Sequence, residues 1–230
     1  MGIAVLAASG AVVGVRKGFD LFGISTLAVL TGVGGGVLRD VLLDLDPPAS
    51  LQHWQEITIC LTMSALTTVF TRAVVKLNKL VLVLDAVGMG FFATSGAAIS
   101  IDHGASWFAA VVLGVISAVA GSVMRDVVAR DTPMVMGPDD MYAVPAMLGS
   151  VIYVAIDHHG SQSLGVVVGS LVATLLRLAA ITFHWQLPTA PRDLINHVRE
   201  HAELAGCGQC AAASQLRPYP TDTSRGTDSG

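Results

Sequence analysis

The eight residues Gly34-Gly35-Gly36-Val37-Leu38-Arg39-Asp40-Val41 return 86 positions later as Ala120-Gly121-Ser122-Val123-Met124-Arg125-Asp126-Val127, each time inside a stretch apolar enough to cross a bilayer. The same separation, without a gap, lays Ser9-Gly10-Ala11 on Ser95-Gly96-Ala97, Thr31 on Ser117 and Pro47 on Pro133. Landmarks that hold one register over so much of the chain mark an internal duplication. Charged and helix-breaking residues are unfavourable in lipid unless they line protein or water, so their recurrence in matching places points to a polar path through the bilayer.

Composition fixes the environment: 53% of residues are hydrophobic and 13% charged, and the mean hydropathy is +0.65. A spanning helix needs ~20 mainly apolar residues, fewer when its flanks snorkel. Seven segments qualify, at about residues 2–15, 21–43, 57–71, 80–101, 105–128, 141–156 and 161–183. Three fall in each copy and one is left over. Because three is odd, the second copy enters from the opposite side, and the repeats are inverted. The expected fold is therefore an all-α integral membrane protein. Its first membrane repeat covers residues 1–78, its second 79–159, and a seventh transmembrane helix 160–185. The register partner of Asp85 falls before Met1, which implies a first helix longer than the one at hand. No basic residue precedes the first apolar run, which argues against a signal peptide.

Orientation follows from lysine and arginine. They gather after spans one, three and five, as Arg16, Lys17, Arg72, Lys76, Lys79 and Arg130, and in the tail as Arg192 and Arg199; the opposite connections carry Asp44, Asp46, His53, Glu56, Asp102, His103, Asp157, His158 and His159. The amino terminus is expected outside and the tail in the cytoplasm. Residues 186–230 lose the apolar runs and read as a disordered tail. In it His197, His201, Cys207 and Cys210 pair ligand types that zinc accepts, but the gap between the pairs departs from finger spacing, so no metal or other cofactor is expected. Cys60 reads as a small buried apolar residue. Scattered carboxylates and the absence of a basic stripe exclude nucleic acid.

The glycine runs admit two readings. Each glycine lowers helix propensity by ~1 kcal/mol relative to alanine, so the helices could open at Gly34, Gly35, Gly36 and Gly121 and expose carbonyls that replace a monovalent cation's water, as filter carbonyls do. Alternatively, small residues let neighbouring helices approach closely. The arginines favour a functional reading, since one near a helix centre costs ~2.5–3.5 kcal/mol on the lenient scale. Asp40 and Asp126 are poorly placed to offset it, because consecutive helical residues do not face each other; Asp20 and Asp85 are the expected partners. Ser9-Gly10 and Ser95-Gly96 add a second matched interruption, and Thr31 and Ser117 matched hydroxyls. Carbonyls and hydroxyls suit potassium or sodium better than a tightly held divalent ion, with Arg39 and Arg125 acting as gate, selectivity barrier or contact to lipid headgroups.

Together with the segment Val15-Arg16-Lys17-Gly18-Phe19-Asp20-Leu21-Phe22-Gly23 and with Tyr142-Ala143-Val144-Pro145-Ala146, the two motifs resemble the prokaryotic branch of the trimeric intracellular cation channel (TRIC) family. The resemblance covers about residues 1–183. It implies seven helices, a homotrimer in the prokaryotic inner membrane and a potassium-permeable pore within each subunit. That pore would be lined by bent helices bearing Gly35, Gly36 and Arg39 in one copy and Gly121 and Arg125 in the other. Ser122 stands where the family pattern has glycine. The same family has been described as carriers of small molecules such as glycine, which makes a secondary amino-acid transporter the alternative. An enzyme is not expected, for the chain lacks metalloprotease, nucleophile-elbow or paired intramembrane aspartate signatures.

Overall fold

The computed structural model of this protein describes residues 2–71, 80–136, 142–158 and 160–183, with backbone alone at Ser50 and Leu51. The tail and its histidine and cysteine pairs lie outside the described residues. Among the described residues there are seven long helices: α1 (Gly2–Arg16), α2 (Leu21–Leu42), α3 (Trp54–Val69), α4 (Leu80–Asp102), α5 (Trp107–Val128), α6 (Ala143–Asp157) and α7 (Gln162–Phe183). A four-residue helix, Ala49–Gln52, and a 3-10 turn, Met134–Met136, sit in the connections after α2 and α5. There is no strand among the described residues. Helices α2, α4, α5 and α7 are long and apolar enough to cross a membrane, while α1 and α6 are apolar but shorter.

The duplication extends to individual hydrogen bonds. After α1 the Gly18 amide donates to the Val15 carbonyl and the Phe19 amide to that of Gly14; after α4, the Gly104 amide donates to Ile101 and the Ala105 amide to Ser100. Gly18 and Gly104 both have positive φ, 71° and 81°, the left-handed backbone that glycine adopts without a Cβ penalty. Asp20 caps α2 by accepting from the Gly23 amide, and Ser106 caps α5 by accepting from Ala109. At the other ends, the Leu45 amide donates to Asp40 and the Asp131 amide to Asp126, with Asp44 and Arg130 each at φ 57°. Every one of these pairs is 86 residues apart.

The two copies are related by a reversal of direction. A Cβ on Gly35 would run into the carbonyl oxygen of Ser117, and one on Gly121 into that of Thr31. As position rises along α2 it falls along α5, so these equivalent helices cross antiparallel with backbone against backbone. Helices α1 and α4 repeat the relation: a Cβ on Gly2 would press on Phe92, and one on Gly88 on Leu6. These reciprocal contacts are the signature of inverted repeats about an axis in the membrane plane. Helix α7 packs outside the pair, against α4 and α6.

The expected opening at the glycines takes another form. Helical structure runs without interruption through Gly34, Gly35 and Gly36 in α2 and through Gly121 in α5, and also through Ser9-Gly10 and Ser95-Gly96. The physical reason is the crossing itself. Missing side chains bring two backbones together, and the packing gained offsets the low helix propensity.

Candidate functional site

Both motif arginines lie in the last turn of their helices, where the carboxyl-terminal end of the dipole favours a cation. Counting 1.5 Å per residue from the crossing, they stand ~9 Å to either side of it. Both are buried: Arg125 is 0% exposed and Arg39 6%.

Arg125 is held from four sides. Its Nε donates to Asp126 Oδ1 at 2.8 Å, and its Nη1 donates to Asp85 Oδ1 at 2.9 Å and to Ser9 Oγ at 2.8 Å. Its Nη2 lies 3.9 Å from Met134 Sδ. Asp85 in turn accepts from Ser122 Oγ at 2.8 Å and from the Tyr142 hydroxyl at 2.5 Å. The guanidinium of Arg177, from α7, lies 4.5 Å above the Tyr142 ring centre, within cation–π range. Seven side chains from α1, α4, α5, α7 and the residue preceding α6 thus converge on one buried network.

Arg39 has a smaller set. Its Nε and Nη2 both donate to Asp40 Oδ1, at 2.9 and 2.6 Å. Asp40 Oδ2 accepts from the Ala49 amide, as Asp126 Oδ2 does from that of Met134. Each aspartate therefore ties its arginine to the loop leaving the helix. Beside Arg39 the structure opens into a cavity of about 280 Å³ that Gly36, Glu56, Phe92 and Ser95 also line.

These distances correct one expectation and divide another. Asp40 and Asp126 do pair with the neighbouring arginines, because a long arginine stem in a helix's final turn can curl back across the end, where no further turn blocks it. Asp85 is indeed a partner of Arg125. Asp20 is not one of Arg39: it caps the amino end of α2, ~28 Å along the same helix from Arg39 by the rise per residue. Thr31 bonds its own helix at Leu27 O, Ser95 bonds Phe91 O, and the Ser117 hydroxyl is buried with no hydrogen-bond partner. Gly10 packs against Thr31 and Gly96 against Ser117. Sequence reasoning missed the part of Tyr142, and it missed Arg177, whose lone charge within an apolar span was the same signal that exposed Arg39 and Arg125.

Two inverted three-helix units that each close around a buried arginine define an integral membrane protein of the inverted-repeat class, the architecture of many membrane-transport proteins. A family model described as "Glycine transporter" matches residues 1–72 and 82–158. The UPF0126 inner membrane protein YadS of Escherichia coli K12 is 36% identical over 84% of this chain and 94% of its own length. A UPF0126 membrane protein of Bacillus subtilis, YvgT, is 31% identical over 85% and 96%. Among solved structures, a TRIC cation channel studied for its conductance is 34% identical with a TM-score of 0.76, over 83% of this chain and 94% of that one. The TRIC orthologue from Rhodobacter sphaeroides is 31% identical with the same TM-score, over 80% and 95%. The chain belongs to this family, the prokaryotic relatives of the TRIC cation channels.

Proposed function

We propose that the protein is a monovalent cation channel, permeable to potassium, with a pore inside each subunit of a homotrimer. It is placed in a prokaryotic inner membrane with the amino terminus outside and the tail in the cytoplasm, among lipids that cover its exposed apolar faces. The observation that carries this reading is the likeness to solved TRIC cation channels over the helices that hold both arginine centres. Gly34, Gly35, Gly36 and Gly121 set the crossing; Arg39, Asp40, Ser95 and Gly96 flank the route on one side of it, and Ser9, Gly10, Asp85, Ser122, Arg125 and Asp126 on the other, with the Thr31 and Ser117 hydroxyls at the centre. The half around Arg39, already hollow, is the open vestibule, and the half around Arg125, closed by its own hydrogen bonds, is the gate.

The chemistry supports a conduit, since Arg39 and Arg125 are paired with the buried carboxylates of Asp40, Asp85 and Asp126. A guanidinium beside a cation path repels its cargo unless offset, by ~3 kcal/mol at 6 Å and an effective dielectric of 20. Asp40 at one centre, and Asp85 with Asp126 at the other, supply the offset. A second reading, a carrier of glycine, is favoured by the family model's description and by a cavity with a guanidinium and a carboxylate on its wall. Planar-bilayer recording with potassium on one side and sodium on the other separates the two. Unitary currents with a defined reversal potential support the channel; saturable glycine uptake without unitary events replaces it with the carrier.

A further inference from the structure

The 86-residue register places Glu56 where the second repeat has Tyr142, and Gly36 where it has Ser122. In the second repeat those two hydroxyls fill the space next to the arginine and donate to Asp85. In the first repeat the equivalent hydroxyls are gone and the space is the cavity beside Arg39, lined by both replacements. A carboxylate thus stands in place of a phenol. Glu56 lies in the first turn of α3 and is half-buried. Its carboxylate has no hydrogen-bond or ion-pair partner among the described residues, although Arg39 lines the same cavity. Arg39 is already taken up by Asp40.

The charges decide what such a cavity holds. Arg39 and Asp40 cancel, leaving Glu56 as the uncompensated group on the wall, so the cavity is net negative and lined by low-dielectric helix surface that focuses its field. A tight divalent site needs six or more oxygens, which one carboxylate and the Ser95 hydroxyl do not provide. A hydrated monovalent cation needs one fixed negative charge and room for water, and about 280 Å³ supplies the room. We infer that Glu56 forms a binding site for a monovalent cation in the first-repeat cavity and sets the cation preference of that entrance. The inference rests on the channel reading for its role in conduction, though the binding itself can be measured without current.

The test uses the full chain in lipid nanodiscs and in planar bilayers. Potassium chloride exchanged for choline chloride at constant ionic strength is expected to raise the Tm of the wild type, because a ligand that binds only the native state stabilises it. Glu56→Gln is expected to abolish that rise, and Glu56→Asp to keep it. In bilayers Glu56→Gln is expected to lower unitary potassium current about threefold at low salt, with the deficit shrinking toward molar salt as screening removes the field. An equal potassium-dependent rise in wild type and Glu56→Gln overturns the site, as does a current unchanged at every salt concentration. A potassium-dependent rise that needs Glu56, in a protein that passes no unitary current, upholds the site and overturns the channel.

Discussion

The Arg125 and Arg39 centres begin from the same Arg-Asp pair in the same helical turn and end as different objects. Around Arg125, Asp85, Ser122, Tyr142 and Ser9 complete a solid network. Around Arg39 the register partners of Ser122 and Tyr142 are Gly36 and Glu56, and a cavity remains. An inverted duplication thus keeps its backbone symmetric to the level of single amide bonds while its side chains diverge, making one half rigid and the other hollow. The comparison teaches that the frame and the chemistry of such a protein are separately adjustable.

The largest effect that could break this contrast is that of removing each arginine. Arg125→Ala strands Asp85 and Asp126 in the interior and should cost ~3–5 kcal/mol; Arg39→Ala strands Asp40 alone, beside a cavity that admits water, and should cost less. Thermal unfolding in detergent checks the order, and a reversal would mean that the closed network is not the firmer one. Next comes Tyr142→Phe, which deprives Asp85 of a charge-assisted bond worth ~1.5–3 kcal/mol, whereas Glu56→Gln, at the matching position, should leave stability in choline chloride nearly unchanged. Equal losses from both would show the two positions to be alike. Gly35→Ala and Gly121→Ala should each destabilise by ~1–3 kcal/mol through overpacking of the crossing, and by similar amounts, because each added methyl meets a carbonyl of the opposite helix. Unequal losses would show the frame to be less symmetric than its contacts. The smallest effect is expected from Lys17→Ala, which removes the bridge to Asp131 between the loops following α1 and α5. Both partners are about a third or more exposed, so under ~1 kcal/mol is expected, and the difference should vanish in high salt.

Much of this was legible in the sequence, for reasons that can be named. Hydrophobic run lengths gave the helices to within a few residues, and an odd number of spans per copy required inversion. Asp85 could be named as a partner of Arg125 because a buried guanidinium needs a carboxylate from elsewhere. The backbone's continuity through the glycines was not legible. Helix propensity is local, while the contact that outweighs it, Gly35 on Ser117, joins residues far apart in the chain. The pairing of Arg39 with Asp40 was hidden by a rule for helix interiors that fails in a final turn. The role of Tyr142 was hidden because a lone phenol at the start of a helix carries no signal until the register exposes Glu56 as its counterpart.

The crossing of α2 and α5 has a mechanical meaning. Main chain rests on main chain at Gly35 and Gly121, with the Met124 thioether against Gly34 beside them, so the two units pivot about one point. Small tilts at that pivot become larger displacements at the helix ends where the arginines sit, and the twofold symmetry makes them alike at the two ends. A change in the crossing angle therefore acts on both mouths together and in the same sense.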